Sequence, residues 1–328
     1  MEEHAIYLDF DVNKWDLLYI INLDNERLEN LKCFIDTMYT NRSFDIFKQC
    51  NVNDTLYDNE IKQISKLTDI DIDKIRFYNN LVCQLLSSSS ILMENNSRII
   101  HITQYIYDFW DYIKNLFFKV KVYRNKNDTT ELFSAITIFG YVGFITANNR
   151  NLCISIDLSE KGTEYNYNNV EPGLLLRSIF ENDRSYDEAK SIIKTTPVKY
   201  KCDFVISSRL KKFRIISRTI DGFKYLNNVY HIGTDTSFIV KSNSEQMTIE
   251  KKILDIVKYP ICKFSKIEEL LFGNSFRNYI YNDFMKHLLD KPIITDYTLF
   301  FYICSITDDC YDVIVPSKLN SSFHLNSF

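Results

Sequence analysis

Residues 176–194 read LRSIFENDRSYDEAKSIIK, and this stretch decides how the chain is organised. Ser185-Tyr-Asp-Glu188 is a capping box, in which the serine accepts from the amide three residues on and the glutamate reaches back to the serine's amide. It predicts a helix from Tyr186 to Lys194, with Pro197 just beyond its end. Just upstream, residues 171–180 predict a second helix, opened by Pro172, whose missing N–H falls among first-turn amides that lack an intrahelical acceptor anyway. Strand-type sequence lies on both sides of this helical pair.

Before it come short β-type segments at 91–93, 99–103, 118–123, 132–139, 142–146 and 152–156, with 148–151 a hairpin turn. After it come 204–207, 213–218, 223–226 and 230–233. Residues 248–290 return to helical periodicity, and 298–306 with 311–315 predict a closing hairpin. The first 87 residues read as helical. Leu28, Leu31, Phe34, Ile35 and Met38 recur at helical spacing, and Asp71 is an N-cap for a helix through Ile75, Phe77, Leu81, Val82 and Leu85. Helices covering packed sheets follow from this order, as one α/β domain with a helical N-terminal arm.

Composition excludes several functions. The 328 residues carry 39 Lys and Arg against 43 Asp and Glu, a net charge of -4. That balance leaves no whole-molecule footprint for nucleic acid or an anionic membrane. No apolar run reaches the roughly 18 residues of a membrane-spanning helix. The opening MEEHAIYLDF is acidic and has no signal-peptide pattern, so a cytoplasmic location, in its own or a host cell, is expected. The 22 Tyr, 24 Phe and 30 Asn against 7 Gly, 5 Pro and 4 Ala follow A/T-rich codons, as in some large DNA viruses and intracellular parasites. The eight cysteines form no CxxC pair and no histidine stands at zinc-site spacing, so neither metal nor cofactor is expected. Cys83, Cys153 and Cys304 lie inside apolar runs, as small buried hydrophobes do.

Read in order, five segments resemble the acid ceramidase and N-acylethanolamine acid amidase family, N-terminal-nucleophile cysteine hydrolases that cut amide bonds in lipids. Phe139-Gly-Tyr-Val-Gly-Phe144 is similar to the family's Gly-Tyr-Val-Gly hairpin. The 176–194 stretch resembles its Leu-Glu-Asn…Ser-Tyr-Glu-Glu-Ala-Lys helix pair, and Asp203-Phe-Val-Ile206 its following core strand. Residues 284–315 resemble its final helix, proline and hairpin, and 71–90 align without a gap to its last helix before the nucleophile. The resemblance implies an αββα sandwich of two mainly antiparallel sheets flanked by helices. Residues 1–87 would be the light-chain-like arm and 88–328 the heavy-chain-like sandwich, in one integrated, uncleaved domain.

The resemblance also implies a site, and its chemistry has changed. The family's nucleophile is a cysteine freed by self-cleavage, its α-amine acting as general base. Ser88 of Ser88-Ser89-Ser90-Ile91 stands there. Sixteen residues on, the family's positioning Arg is Gln104, and the Asp that holds the α-amine is Tyr107. Gln carries no fixed charge, and Tyr is no carboxylate at neutral pH. Asp108 is one residue along, a slip that on a strand turns the side chain to the other face. The family's oxyanion Asn aligns with Thr234, and its Glu with Ser159, beside Glu160. Loss of one oxyanion donor alone costs about 10² to 10³ in rate.

A catalytically dead relative is therefore expected, a pseudoenzyme kept as a protein-binding or structural scaffold with an unidentified protein partner. Two alternatives stand beside it: a live Ser88 amidase with Asp108, Glu160 or Asp235 as stand-ins, and a non-catalytic acyl-lipid binder. The residues also have plainer readings. Residues 87–90 read as a solvated loop before a strand, Cys83 as a core thiol, and His101 and His231 as structural strand histidines.

Overall fold

Local capping signals set the helices. In the computed structural model, the Ser185 hydroxyl accepts from the Glu188 amide at 3.4 Å and Glu188 accepts from the Ser185 amide at 3.0 Å. Asp71 likewise accepts from the amide of Asp73 at 2.9 Å. The structure describes residues 2–9, 14–15, 25–48, 57–95, 98–107, 115–124, 130–157, 165–226, 229–232, 236–241, 298–307 and 310–314. The helices expected over 248–290 lie outside them.

In chain order, strands β1 (Glu2–Asp9) and β2 (Lys14–Trp15) precede helices α1 (Asn25–Thr40), α2 (Asp58–Thr68) and α3 (Ile72–Leu81). Then come β3 (Leu86–Asn95), β4 (Arg98–Tyr107), β5 (Phe117–Tyr123), β6 (Glu131–Ile138), β7 (Thr146–Asn148) and β8 (Leu152–Asp157). Helices α4 (Pro172–Glu181) and α5 (Tyr186–Thr195) follow. The described chain ends with β9 (Cys202–Ser208), β10 (Phe213–Arg218), β11 (Phe223–Leu226), β12 (Val229–Ile232), β13 (Thr236–Lys241) and the hairpin β14 (Thr298–Ser305) and β15 (Cys310–Ile314). Among the described residues, one sheet has nine strands in the order β11-β10-β9-β8-β7-β6-β5-β1-β2, and the other has six in the order β12-β13-β3-β4-β14-β15. Apart from β1 on β5, the strand pairings are antiparallel among the described residues.

Three local expectations change. Residues 2–9 form a strand within the larger sheet rather than part of a helical arm. Residues 87–90 belong to β3, not to a loop preceding it. The strand expected at 142–146 shrinks to β7, because its amides are taken elsewhere. The Val142 amide goes to Asn79 Oδ1 at 2.8 Å and the Phe144 amide to the Gly173 carbonyl at 3.1 Å.

The Gly-Tyr-Val-Gly segment ties α3 and α4 to the end of β6. Tyr78 donates to the Phe139 carbonyl and Asn79 to the Gly140 carbonyl, both at 2.8 Å. Gly140 has φ +80°, a conformation open to glycine. A methyl group on Gly173 would overlap the Tyr141 hydroxyl and reach within 2.8 Å of the Phe144 carbonyl. The buried Arg177 of α4 completes the tie. Its guanidinium grips Glu60 of α2 at 2.6 and 2.8 Å, Glu181 at 2.8 Å and the Val142 carbonyl at 2.7 Å, and lies 4.1 Å over the Tyr57 ring. Every charge in the cluster has a partner, the condition under which a buried ion pair is tolerated.

Candidate functional site

The two sheets meet through β3, β4 and β14 on one side and β7, β8 and β9 on the other, and the layer between them is unusually polar. Side chains two apart on a strand share a face. Thus Ser88 and Ser90 on β3 face this layer together with His101, Thr103 and Tyr105 on β4. Cys153, Ser155 and Asp157 of β8 meet them from across, with Asp203 and Ser207 of β9. The alternate residues Ile154, Ile156, Phe204 and Ile206 turn the other way and are also buried.

His101 is the hub. Its Nε2 lies 2.7 Å from Ser155 Oγ and its Nδ1 3.1 Å from Ser207 Oγ. Ser155 Oγ is 2.8 Å from Thr103 Oγ1, which is 3.0 Å from Ser90 Oγ. A chain of hydroxyls thus runs from the imidazole back to β3. A neutral imidazole offers one donor and one acceptor, which two hydroxyls match. Burial holds the imidazole neutral, its pKa pulled down to about 3. Nearby, Tyr302 donates to Asn148 Oδ1 at 2.8 Å, and Cys153 Sγ lies 3.5 Å from the same phenol.

Ser88 sits at one end of this layer and outside the hydrogen-bonded chain. It is 1% exposed, stands opposite Tyr105 in the β3–β4 ladder, and its Oγ has no hydrogen-bond partner among the described residues. His101 pairs with Leu92, four residues from Ser88 or about 13 Å along the strand. Gln104 is opposite Ser89 on one side and Phe301 on the other, which puts it on the outer face of the six-stranded sheet. The structure therefore does not bring Gln104 to Ser88. Tyr107 pairs with Leu86 at the end of the ladder. Ser159, Glu160, Thr234, Asp108 and Asp235 lie outside the described residues. His231 is on β12, in register with Ser237.

Cys83 precedes β3 in a buried 3₁₀ turn, beside the Tyr141 and Tyr200 phenols. Burial first, and then the Glu171 carboxylate, push its thiol well above the usual range. Glu171 accepts from Tyr141 at 2.6 Å and from Tyr200 at 2.5 Å, yet burial still raises its carboxyl.

Two carboxylates also belong to the Ser88 end. Asp157 and Asp203 are direct cross-strand partners, both buried, and the Asp157 charge raises the pKa of the Tyr105 phenol, though burial contributes more. Sequence reasoning passed over them and over Ser155 and Ser207. The signal was the alternation Cys153-Ile-Ser-Ile-Asp157, whose polar residues would ordinarily be assigned to solvent.

No protein-family model and no curated protein matches the chain. Among solved structures it is similar to the Caenorhabditis elegans N-acylethanolamine-hydrolyzing acid amidase (NAAA) ortholog, at 19% identity and a TM-score of 0.45, over 67% of this chain and 93% of that one. It is also similar to a mutant of the conjugated bile acid hydrolase from Clostridium perfringens, at 11% identity and a TM-score of 0.36, over 73% of this chain and 100% of that one.

Proposed function

We propose that this chain is a non-catalytic relative of the linear-amide hydrolases that it resembles, a pseudoenzyme acting as a protein-binding scaffold. The observation that carries the reading is the state of Ser88. A serine becomes a nucleophile when a base lies within hydrogen-bond reach, about 2.6–3.2 Å. Ser88 Oγ has no such partner among the described residues, and its strand continues unbroken from Leu86 to Asn95. The imidazole in the same layer is held by Ser155 and Ser207 and is a weak base. A Tyr at 107 fits the same reading, since it supplies no carboxylate where the resemblance requires one.

The test is the intact mass of the full-length chain under denaturing conditions after incubation at pH 4.5 and pH 7.4, with hydrolysis of N-acylethanolamines and ceramides measured on the same samples. A persistent 38.9 kDa chain without turnover is expected. Scission before Ser88, or turnover abolished by Ser88→Ala, overturns the reading.

A further inference from the structure

The pairing of β1 is unlike the other pairings of the larger sheet. β5 is joined to β6 as an antiparallel hairpin, with Lys121 opposite Ser134. On its other edge it receives β1 in parallel, from Glu2 beside Phe118 to Tyr7 beside Tyr123. Parallel neighbours are never joined by a tight turn, so β1 reaches this edge through a long stretch of chain. It can leave or arrive without remaking the β5–β6 hairpin. Among the described residues, the sheet continues beyond β1 through two pairs with β2, Leu8 to Trp15 and Asp9 to Lys14.

The edge also has a chemical preference. Lys119 and Lys121 stand two apart on one face of β5, and the Glu3 carboxylate spans them, 2.9 Å from the first ammonium and 2.6 Å from the second. Lys119 is further fixed 4.0 Å over the Tyr311 ring. These lysines are only 19% and 31% exposed, so they are screened less than surface pairs. Without a carboxylate at residue 3 of the incoming strand, two like charges stand side by side at the edge.

We propose that the β5 edge is a strand-exchange site, which takes the Glu2–Asp9 strand of a second copy of this chain in place of its own. The incoming strand makes the same parallel ladder and the same two-lysine contact, so the exchange loses no pairing, the low-cost route to a dimer that swapped elements provide. The inference rests on this pairing and not on the loss of catalysis, and it gives a scaffold a partner of defined chemistry.

Charge reversal tests it. One variant carries Glu3→Lys, and a second carries Lys119→Glu with Lys121→Glu. Alone, each places like charges at its own edge. Mixed, each supplies the strand that the other accepts, and both contacts are restored. The expected result is a species of twice the 38.9 kDa chain mass by light scattering in the mixture and not in either variant alone. If either variant unfolds by itself, mixing restores its folded circular dichroism signal. A mixture that stays monomeric, or stays unfolded, overturns the proposal. A labelled peptide of residues 1–16 gives an independent readout on the Glu3→Lys chain. It binds saturably, and its Glu3→Lys form binds about tenfold more weakly. Equal binding of the two peptides, or none, overturns the charge reading.

Discussion

The imidazole of His101 makes stability depend on acid in a way that can be worked out and measured. Its ordinary pKa is 6.5, and burial lowers it to about 3 in the folded chain. The unfolded chain therefore takes up the proton first. Stability is fully present above pH 6.5 and falls as pH drops from 6.5 towards 3. One pKa unit corresponds to 1.36 kcal/mol, so this group alone removes about 2 kcal/mol at pH 5 and about 3 kcal/mol at pH 4. Glu171 runs the other way. Its carboxyl is raised by burial, so its protonation on acidification favours the folded chain.

The comparison that isolates His101 is with His101→Gln, whose amide keeps one donor and one acceptor for Ser155 and Ser207. Urea unfolding of both proteins at pH 7, 6, 5 and 4 gives the difference in stability, from which other titrations cancel. Thr103, the Tyr302 ring and the Cys153 and Cys304 thiols also line this part of the layer. The variant should gain on the parent by about 2 kcal/mol between pH 7 and pH 5. Parallel curves would refute the argument, because they would mean that His101 titrates alike in both states.

Arg177→Ala should destabilise by about 3–5 kcal/mol in urea unfolding at neutral pH, because Glu60 would be left buried without its cation. A loss under 1 kcal/mol would mean that α2 is not held by this cluster. Gly173→Ala should lower stability by at least about 2 kcal/mol, since its methyl group displaces the Tyr141 hydroxyl from Glu171, and thermal denaturation checks it. Among the described cysteines, Cys33 is exposed and Cys83, Cys153, Cys202 and Cys304 are buried. Peptide mapping after brief native alkylation should therefore find label on Cys33 and none on those four until the chain is unfolded.

What could be read in the sequence was what is decided locally. The Ser185 capping box and the Asp71 cap each satisfy their amides within three residues, so the two helices follow from short strings. The closing hairpin of β14 and β15 is also close to local. The first strand escaped because its partner β5 lies more than a hundred residues away, and pairing at that distance leaves no periodic trace nearby. The 142–146 segment has strand character, but Asn79 and the Gly173 carbonyl bind its amides, and tertiary contacts prevailed over propensity.

The site was legible in part, and the reason lies in strand parity. Alternation reveals that two faces differ but not which one is interior. Here β8 and β9 are buried on both faces, so their serines and aspartates fall inside without any change in pattern. The same parity bears on Ser88. The ladder from Leu86 with Tyr107 to Asn95 with Arg98 runs without a register shift. The residue that shares a face and a rung with Ser88 is therefore Tyr105, while Gln104 stands opposite Ser89 and turns away. A residue sixteen positions after Ser88 could join it only through a bulge in β3 or β4, and that ladder contains none. Reintroducing a cation at 104 would place it behind the sheet. Among the described residues, chemistry at Ser88 would have to draw on the groups that share its layer: the Tyr105 phenol and, from the facing strands, Asp157 and Asp203.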